Sequence, residues 1–213
     1  MPDLSYDLAA LAPHDRYKLL ISLVIPRPIA LVTTLGPTGI VNAAPFSFFN
    51  IFSESPPLAV LGLQARPNGG LKDTSAHIRD RGAFVINLVD EALGRQMNQC
   101  AVDFPPEVSE IDAAKLSLLP SERIEIPRIA EAPAALECRH FTTLEVSAQR
   151  RLAIGEILHV HVREGLWNHE TMRVDMTRYR PLARLFGNFY ASLGEPFTHV
   201  RKSYEEWEKE RGK

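Results

Sequence analysis

The densest chemical signal in the chain is the run Asn42-Ala43-Ala44-Pro45-Phe46-Ser47-Phe48-Phe49, which brings an amide, a hydroxyl, small residues and aromatics together. Such a run suits a flat heteroaromatic ligand: small side chains let backbone N–H and C=O groups approach the polar edge of a ring, and aromatics cover its apolar edge. It reads equally as a strand end whose Phe residues fill a core. A second cluster, Lys72-Asp73-Thr74, follows Asn68-Gly69-Gly70. If it opens a short helix, a cation, a hydroxyl and free N–H groups converge on a seat for phosphate. An ordinary capped surface helix with a solvated lysine has the same residues. His159 and His161 lie two apart on an expected strand and share a face with Arg163. Two histidines do not make a zinc site and a neighbouring arginine disfavours a cation, so solvent-facing strand histidines are the better reading and no metal is expected. No Walker loop, G-x-G-x-x-G, H-E-x-x-H or G-x-S-x-G occurs, which argues against nucleotide hydrolysis and triad hydrolase chemistry.

The elements that must position these residues follow from periodicity. Tyr17, Leu20, Ile21 and Val24 recur at helical spacing until Pro26 and Pro28, which predicts a short amphipathic helix packed on a sheet. Ile29 to Thr34 is apolar and β-branched, Gly36-Pro37-Thr38-Gly39 is a turn signal, and extended residues resume at Ile40. This predicts a hairpin whose second strand carries the Asn42 run. Pro57 to Leu63 and Ala83 to Val89 read as buried strands, with a short helix between them over Leu71 to Arg79, where Asp73 and Thr74 suit capping. Glu91 to Ala101 reads as another helix, and Asp103 to Arg128, with prolines among charges, as a long surface excursion. Thr142, Leu144 and Val146 alternate with polar partners, as do Leu152, Ile154, Leu158, Val160 and Val162. With a turn at Ala148 to Arg151 they predict a second hairpin, and together a mainly antiparallel barrel. From Val200 onward, five Lys or Arg and four Glu surround Tyr204 and Trp207, the pattern of a solvated amphipathic terminal helix.

Composition sets the class. The 213 residues fit one domain, residues 1–213, and 45% apolar with 23% charged residues is ordinary globular composition. Twenty-four Lys and Arg against 26 Asp and Glu leave a formal charge of -2, which gives no reason to expect nucleic acid or a membrane surface. Two distant cysteines, Cys100 and Cys138, fit a reducing cytosol. The acidic start, Met-Pro-Asp-Leu-Ser-Tyr-Asp, does not read as a signal peptide. Apolar stretches such as Ala83 to Val89 stop well short of the roughly 20 residues of a membrane span, so a cytoplasmic protein is expected.

In order and spacing, Arg27-Pro28-Ile29-Ala30-Leu31-Val32-Thr33-Thr34, the Asn42 to Phe49 run, Pro56-Pro57 and Lys72-Asp73-Thr74 resemble the flavin reductase-like, FMN-binding split-barrel family. The resemblance covers roughly Tyr17 to Tyr190, with Phe84 to Leu88, Ile154 to Ile157 and Arg184 to Tyr190 as weaker points. It implies a mainly β fold with peripheral helices: a six-stranded antiparallel split barrel with Greek-key connections, usually a homodimer with FMN near the subunit interface. It also implies that Thr33, Thr34, Asn42, Ala43 and Ala44 face the isoalloxazine, largely through backbone groups, and that Ser47, Phe48 and Phe49 continue that wall. Lys72 and Thr74 would hold the phosphate and Asp73 would cap the helix, while Arg27 would reach the flavin or phosphate or form a structural salt bridge. Family members that reduce free flavin often carry Gly-Asp-His before the Ile-Gly-Glu strand, where this chain has Ala148-Gln149-Arg150. The expected function is an FMN-dependent oxidoreductase accepting reducing equivalents from NAD(P)H or a partner protein, with no side chain required as catalytic base. The alternative is a non-enzymatic FMN-binding protein or electron carrier.

Overall fold

The structure is a computed structural model and describes residues 3–105 and 107–211. Helix α1 (Pro13–Leu23) leads into a hairpin of β1 (Ala30–Leu35) and β2 (Val41–Phe46), then a second of β3 (Phe49–Glu54) and β4 (Pro57–Gln64). Helix α2 (Asp73–Arg81) connects to β5 (Ala83–Leu88), followed by α3 (Gly94–Gln99), α4 (Glu110–Ala113) and the short pair β6 (Leu118–Leu119) and β7 (Arg128–Ile129). A long hairpin of β8 (Ala134–Ser147) and β9 (Arg150–Val162) comes next. The pair β10 (Trp167–Asn168) and β11 (Arg173–Val174), the pair β12 (Leu182–Arg184) and β13 (Tyr190–Ser192), and α5 (Tyr204–Arg211) complete the order.

Seven strands form one antiparallel sheet in the order β2-β1-β5-β8-β9-β4-β3. The chain steps from one edge strand to the other through Ser47 and Phe48, and Gly62 N donates to Phe48 O at 2.7 Å where that corner meets β4. Among the described residues no ladder joins β2 to β3, so the sheet is open at both edges and has seven strands, where a six-stranded split barrel was expected. The seventh is β3: Phe49, expected to end the ligand wall, opens a strand that runs to Glu54 and pairs with β4 around an irregularity between Ile51 and Ser53.

Both faces of β1 are covered, which is why its first five residues are all buried. Ala30 and Val32 meet Leu61, Phe84, Ile86 and Ala153 on one face, whereas Ile29 and Leu31 meet Leu93, Met97, Ile111 and Ile129 on the other. On the first face Phe84 lies where a Cβ at Gly155 would sit, so the glycine in β9 makes room for the ring. The segment from Asp103 to Arg128 is more than a surface excursion, because Ile111, Ala114, Leu116 and Ile126 are buried. Its α4 end covers the open edge of β2, where Ser109 Oγ donates to Val41 O at 3.2 Å and Ala43 N donates to Glu110 Oε2 at 3.0 Å. Helix α1 differs from expectation too: only Ile21 is buried, and its apolar face borders a groove rather than packing flush on the sheet. Helix α5 is exposed throughout, as its alternating charges predict. No helix among the described residues is long and apolar enough to cross a membrane.

Candidate functional site

Strand alternation and one turn of helix bring three distant sequence positions together. Asn42 Nδ2 donates to Thr34 Oγ1 at 3.4 Å across the β1–β2 ladder and to Thr74 Oγ1 at 3.2 Å in the first turn of α2. Thr34 Oγ1 in turn lies 3.1 Å from His77 Nδ1, one helical turn further on. While Thr34 Oγ1 accepts from Asn42 it still has its own proton to give, and it donates that proton to His77 when the neutral ring carries its hydrogen on Nε2. Burial is the largest influence on His77 and lowers its pKa, opposed by Asp73 and Asp80 and aided by Arg81.

Helix α2 begins without a side-chain cap. Its N-cap residue is Lys72, and Asp73, expected to cap, instead turns its carboxylate to Arg66 Nη2 at 2.8 Å. The reason is positional: Asp73 is already the first helical residue, where a side chain cannot fold back as an N-cap oxygen does. Lys72 Nζ is half exposed and has Asp103 at 3.7 Å. Lys72, Asp73 and Thr74 thus stand in one wall of a cleft whose other sides include Asn42, Ala44, Phe46, Gln64 and Phe104. First-turn N–H groups with no side-chain cap, the positive end of the helix and a lysine make this wall fit a phosphate. Cys100 also borders the cleft, but burial pushes its thiol up to about 12, so it stays protonated and unreactive near neutral pH.

The Asn42 to Phe49 run serves two neighbouring cavities. Asn42, Ala44, Pro45 and Phe46 line the polar cleft, whereas Ser47, Phe48 and Phe49 line a separate apolar groove of about 760 Å3 with residues of α1, β4 and β9. Gly62 is essential to that arrangement, since a Cβ there would lie 2.7 Å from Phe48 Cβ. Ala43 is buried, and its N–H is already taken by Glu110, whose carboxyl burial pushes up.

Two expected site residues turn their side chains elsewhere. Arg27 donates through Nη1 to Ile21 O and Val24 O at 2.7 and 2.8 Å, and through Nη2 to Leu185 O at 2.6 Å. Its guanidinium satisfies carbonyls left without helical partners at the end of α1, so it neither reaches the cleft nor forms a salt bridge. Thr33 points to the opposite face of β1 from Thr34, donating to Pro127 O at 2.7 Å and accepting from Asn87 Nδ2 at 3.3 Å.

Beyond Thr33 lies a second polar network. Asn87 Nδ2 also donates to Leu31 O and its Oδ1 accepts from Ile129 N, at 2.9 and 2.8 Å. Glu137, fully buried, accepts from Glu122 N at 2.8 Å, Arg123 N at 2.7 Å and His161 Nε2 at 2.6 Å. His161 is therefore a partner of a buried carboxylate rather than a solvent-facing histidine, and no group of three ligating side chains for a metal exists among the described residues. Glu110, Gln64, His77 and Glu137 carry no local sequence signal of their roles. Only the fold brings them into place.

The model of the flavin reductase like domain matches residues 22–189, a span containing the cleft and all of the groove lining but Leu20 and Ile21. YwrF of Bacillus subtilis strain 168 is 39% identical over 198 residues, 91% of this chain and 96% of that protein. The 2-nitrobenzoate 2-nitroreductase NbaA of Pseudomonas fluorescens is 36% identical with a TM-score of 0.86, covering 94% of this chain and 98% of that one. Nitrilotriacetate monooxygenase component B from Bacillus cereus is 36% identical with a TM-score of 0.88, covering 93% and 100%. The chain belongs to the flavin reductase-like family.

Proposed function

We propose that the chain is an FMN-dependent oxidoreductase that takes reducing equivalents from NAD(P)H or from a partner protein. The observation that carries this reading is the convergence of Lys72, Thr74 and the uncapped start of α2 with the Asn42 to Phe46 stretch in one cleft. Lys72 Nζ, the Thr74 hydroxyl and the α2 N–H groups would hold the phosphate. Asn42, Ala44 and the neighbouring β2 backbone would set the ring beside Phe46. Glu110 would have to release the Ala43 N–H for that amide to contact the ring, and its raised pKa makes the neutral acid, a weaker acceptor, easier to reach. When bound, FMN supplies hydride and electron transfer, so no side chain is needed as a nucleophile. The related nitroreductase and monooxygenase component support flavin-linked redox chemistry and leave the acceptor to be identified.

Titrating purified protein with FMN and FAD tests the reading: FMN binds preferentially, because the cleft offers one phosphate seat and the chain has no dinucleotide fingerprint. Lys72→Ala weakens FMN by about 1.5 to 3 kcal/mol, the value of a charge-assisted contact. Unchanged affinity removes Lys72 from the site, and FAD released from the purified protein overturns the cofactor assignment.

A carrier reading is favoured by Arg150 standing where the resemblance leads one to expect histidine. It predicts slow steady-state NAD(P)H oxidation with free flavin despite a reducible bound one, and fast turnover rules it out. The working unit is a homodimer in this proposal. Phe52 is 70% exposed, and Phe141, Leu144 and Val146 also lie open, leaving apolar surface for a second copy to cover. Light scattering of the flavin-loaded protein at 23.8 kDa would refute the dimer. Cys100 and Cys138 are free and buried, in keeping with a reducing cytoplasm.

A further inference from the structure

We propose that Arg150 and Phe48 form a subsite for the carboxylate of a flat aromatic acid, whose ring lies in the apolar groove beside the flavin cleft. The proposal deepens the flavin-linked reading and rests on it for the meaning of the bound acid as substrate. Arg150, Leu152 and Ile154 alternate along β9 and share one face, and Leu152 and Ile154 line the groove. Arg150 continues that row as its cationic end, with Cζ 6.0 Å from the Phe48 ring centroid.

Phe48 is held in place from two sides. Its carbonyl accepts from Gly62 N, and Tyr17 packs at 6.4 Å between centroids. The base of Arg150 is fixed as well, because it pairs with Gln64 of β4 and the adjacent Gln149 O accepts from Ala65 N at 3.0 Å. The other arginines near this end of the sheet have internal carboxylates, Arg151 pairing with Glu145 at 3.1 Å and Arg66 with Asp73, and further along β9 Arg139 pairs with Glu156 at 2.6 Å. Arg150 has none within ion-pair distance among the described residues, and its guanidinium makes no hydrogen bond there. Arg27, which also borders the groove, is committed to main-chain carbonyls.

A half-buried guanidinium over an aromatic ring, without an internal anion, presents its planar donor fork to a carboxylate from outside. The groove beside it has the volume of a small-molecule site and a mainly apolar lining, which suits a ring, and its second cation, Arg27, is taken up by main-chain carbonyls. Charge and shape together select an aromatic monocarboxylate over a neutral aromatic or a polyanion.

The probe is 2-naphthoate, compared with methyl 2-naphthoate by calorimetric titration of the wild-type protein with and without FMN. The acid binds more tightly than the ester, and added salt weakens the acid alone. Arg150→Ala weakens the acid about tenfold or more and leaves the ester unchanged, Arg150→Lys falls between, and Phe48→Leu weakens both. The wild-type acid-to-ester ratio stands as a test even if a variant folds poorly. Equal binding of acid and ester, or acid affinity unchanged in Arg150→Ala, overturns the proposal. It also falls if Arg150→Ala raises KM for NAD(P)H while leaving 2-naphthoate binding intact, which would give the guanidinium to a nucleotide phosphate. Failure of FMN to bind, with 2-naphthoate behaving as expected, refutes the flavin reading and leaves the subsite standing.

Discussion

Thr33 and Thr34 are adjacent, chemically identical and fully buried, yet they belong to two different kinds of structure. Thr33 enters a closed network with Asn87, Pro127 and Ile129, whose hydrogen bonds are matched inside the protein, and Glu137 forms a separate buried cluster on β8 with Glu122 N, Arg123 N and His161. Thr34 enters a network that opens through Asn42 and Thr74 onto a cleft beside Lys72. A closed network fastens a segment to the sheet, whereas an open one keeps donors and a cation facing a cavity. The difference separates residues that hold the molecule together from residues poised to hold something else.

The largest effect should come from the closed side. Glu137→Ala leaves the Glu122 and Arg123 N–H groups and the His161 ring without their shared acceptor, which should cost about 3 to 5 kcal/mol in chemical denaturation. FMN affinity of the folded fraction should stay within about twofold, since the network does not border the cleft. A comparable loss of FMN binding would break the division between the two sides. Burial alone would raise the Glu137 pKa, but the two backbone donors and His161 outweigh it, so the carboxyl lies below the usual glutamate range. Its stabilisation is therefore present above the ordinary value of 4.5 and lost as pH falls through the lower folded value. Glu137→Gln should remove that part of the acid-induced decline.

A matched pair of substitutions sharpens the comparison at smaller magnitude. Thr33→Val deprives Pro127 O of a donor and Asn87 Nδ2 of one acceptor, for about 1 to 3 kcal/mol of stability with FMN affinity unchanged. Thr34→Val costs less stability, because water from the cleft can replace its partners, and weakens FMN several-fold by releasing Asn42. If the two variants shift denaturation and FMN titration alike, the two faces of β1 do not differ as described.

Much of the site was legible because its signals are local. Gly36-Pro37-Thr38-Gly39 forces the hairpin that sets Asn42 opposite Thr34, and Asp73 with Thr74 mark the start of α2 from their own types, although neither caps it. The side on which Thr33 lies was not legible, because β1 is buried on both faces and shows no polar alternation to reveal direction. Arg27 misleads for a related reason: an arginine beside a ligand motif looks like an anion binder, but the unmatched carbonyls at the end of α1 lie closer. Glu137 and His161 pair across a ladder whose register shifts between Glu137 and Cys138, so no spacing in sequence announces them. The seven-strand count depended likewise on β3, whose ladder is irregular.

The smallest expected effect lies at the seam of the open network. His77 Nδ1 accepts the Thr34 proton only while the ring is neutral, and burial, the largest influence, lowers its pKa below the ordinary value of 6.5. The unfolded chain therefore binds a proton at a pH where the folded protein still does not. Stability from this group is complete above the ordinary histidine value and is lost as pH falls toward the lowered folded value, a window well above that of Glu137. Because the ring is only part-buried, the slope should be slight, and His77→Gln should flatten it as pH falls below the ordinary histidine value of 6.5. FMN affinity should decline over the same interval in the wild type, since a protonated ring forces the Thr34 hydroxyl to turn and loosens its acceptance from Asn42. Thermal unfolding and FMN titration across that range, in wild type and His77→Gln, check both readouts. A slope that survives the substitution, or an FMN affinity indifferent to pH, would cut His77 out of the open network and leave Asn42 and Thr74 as its whole extent.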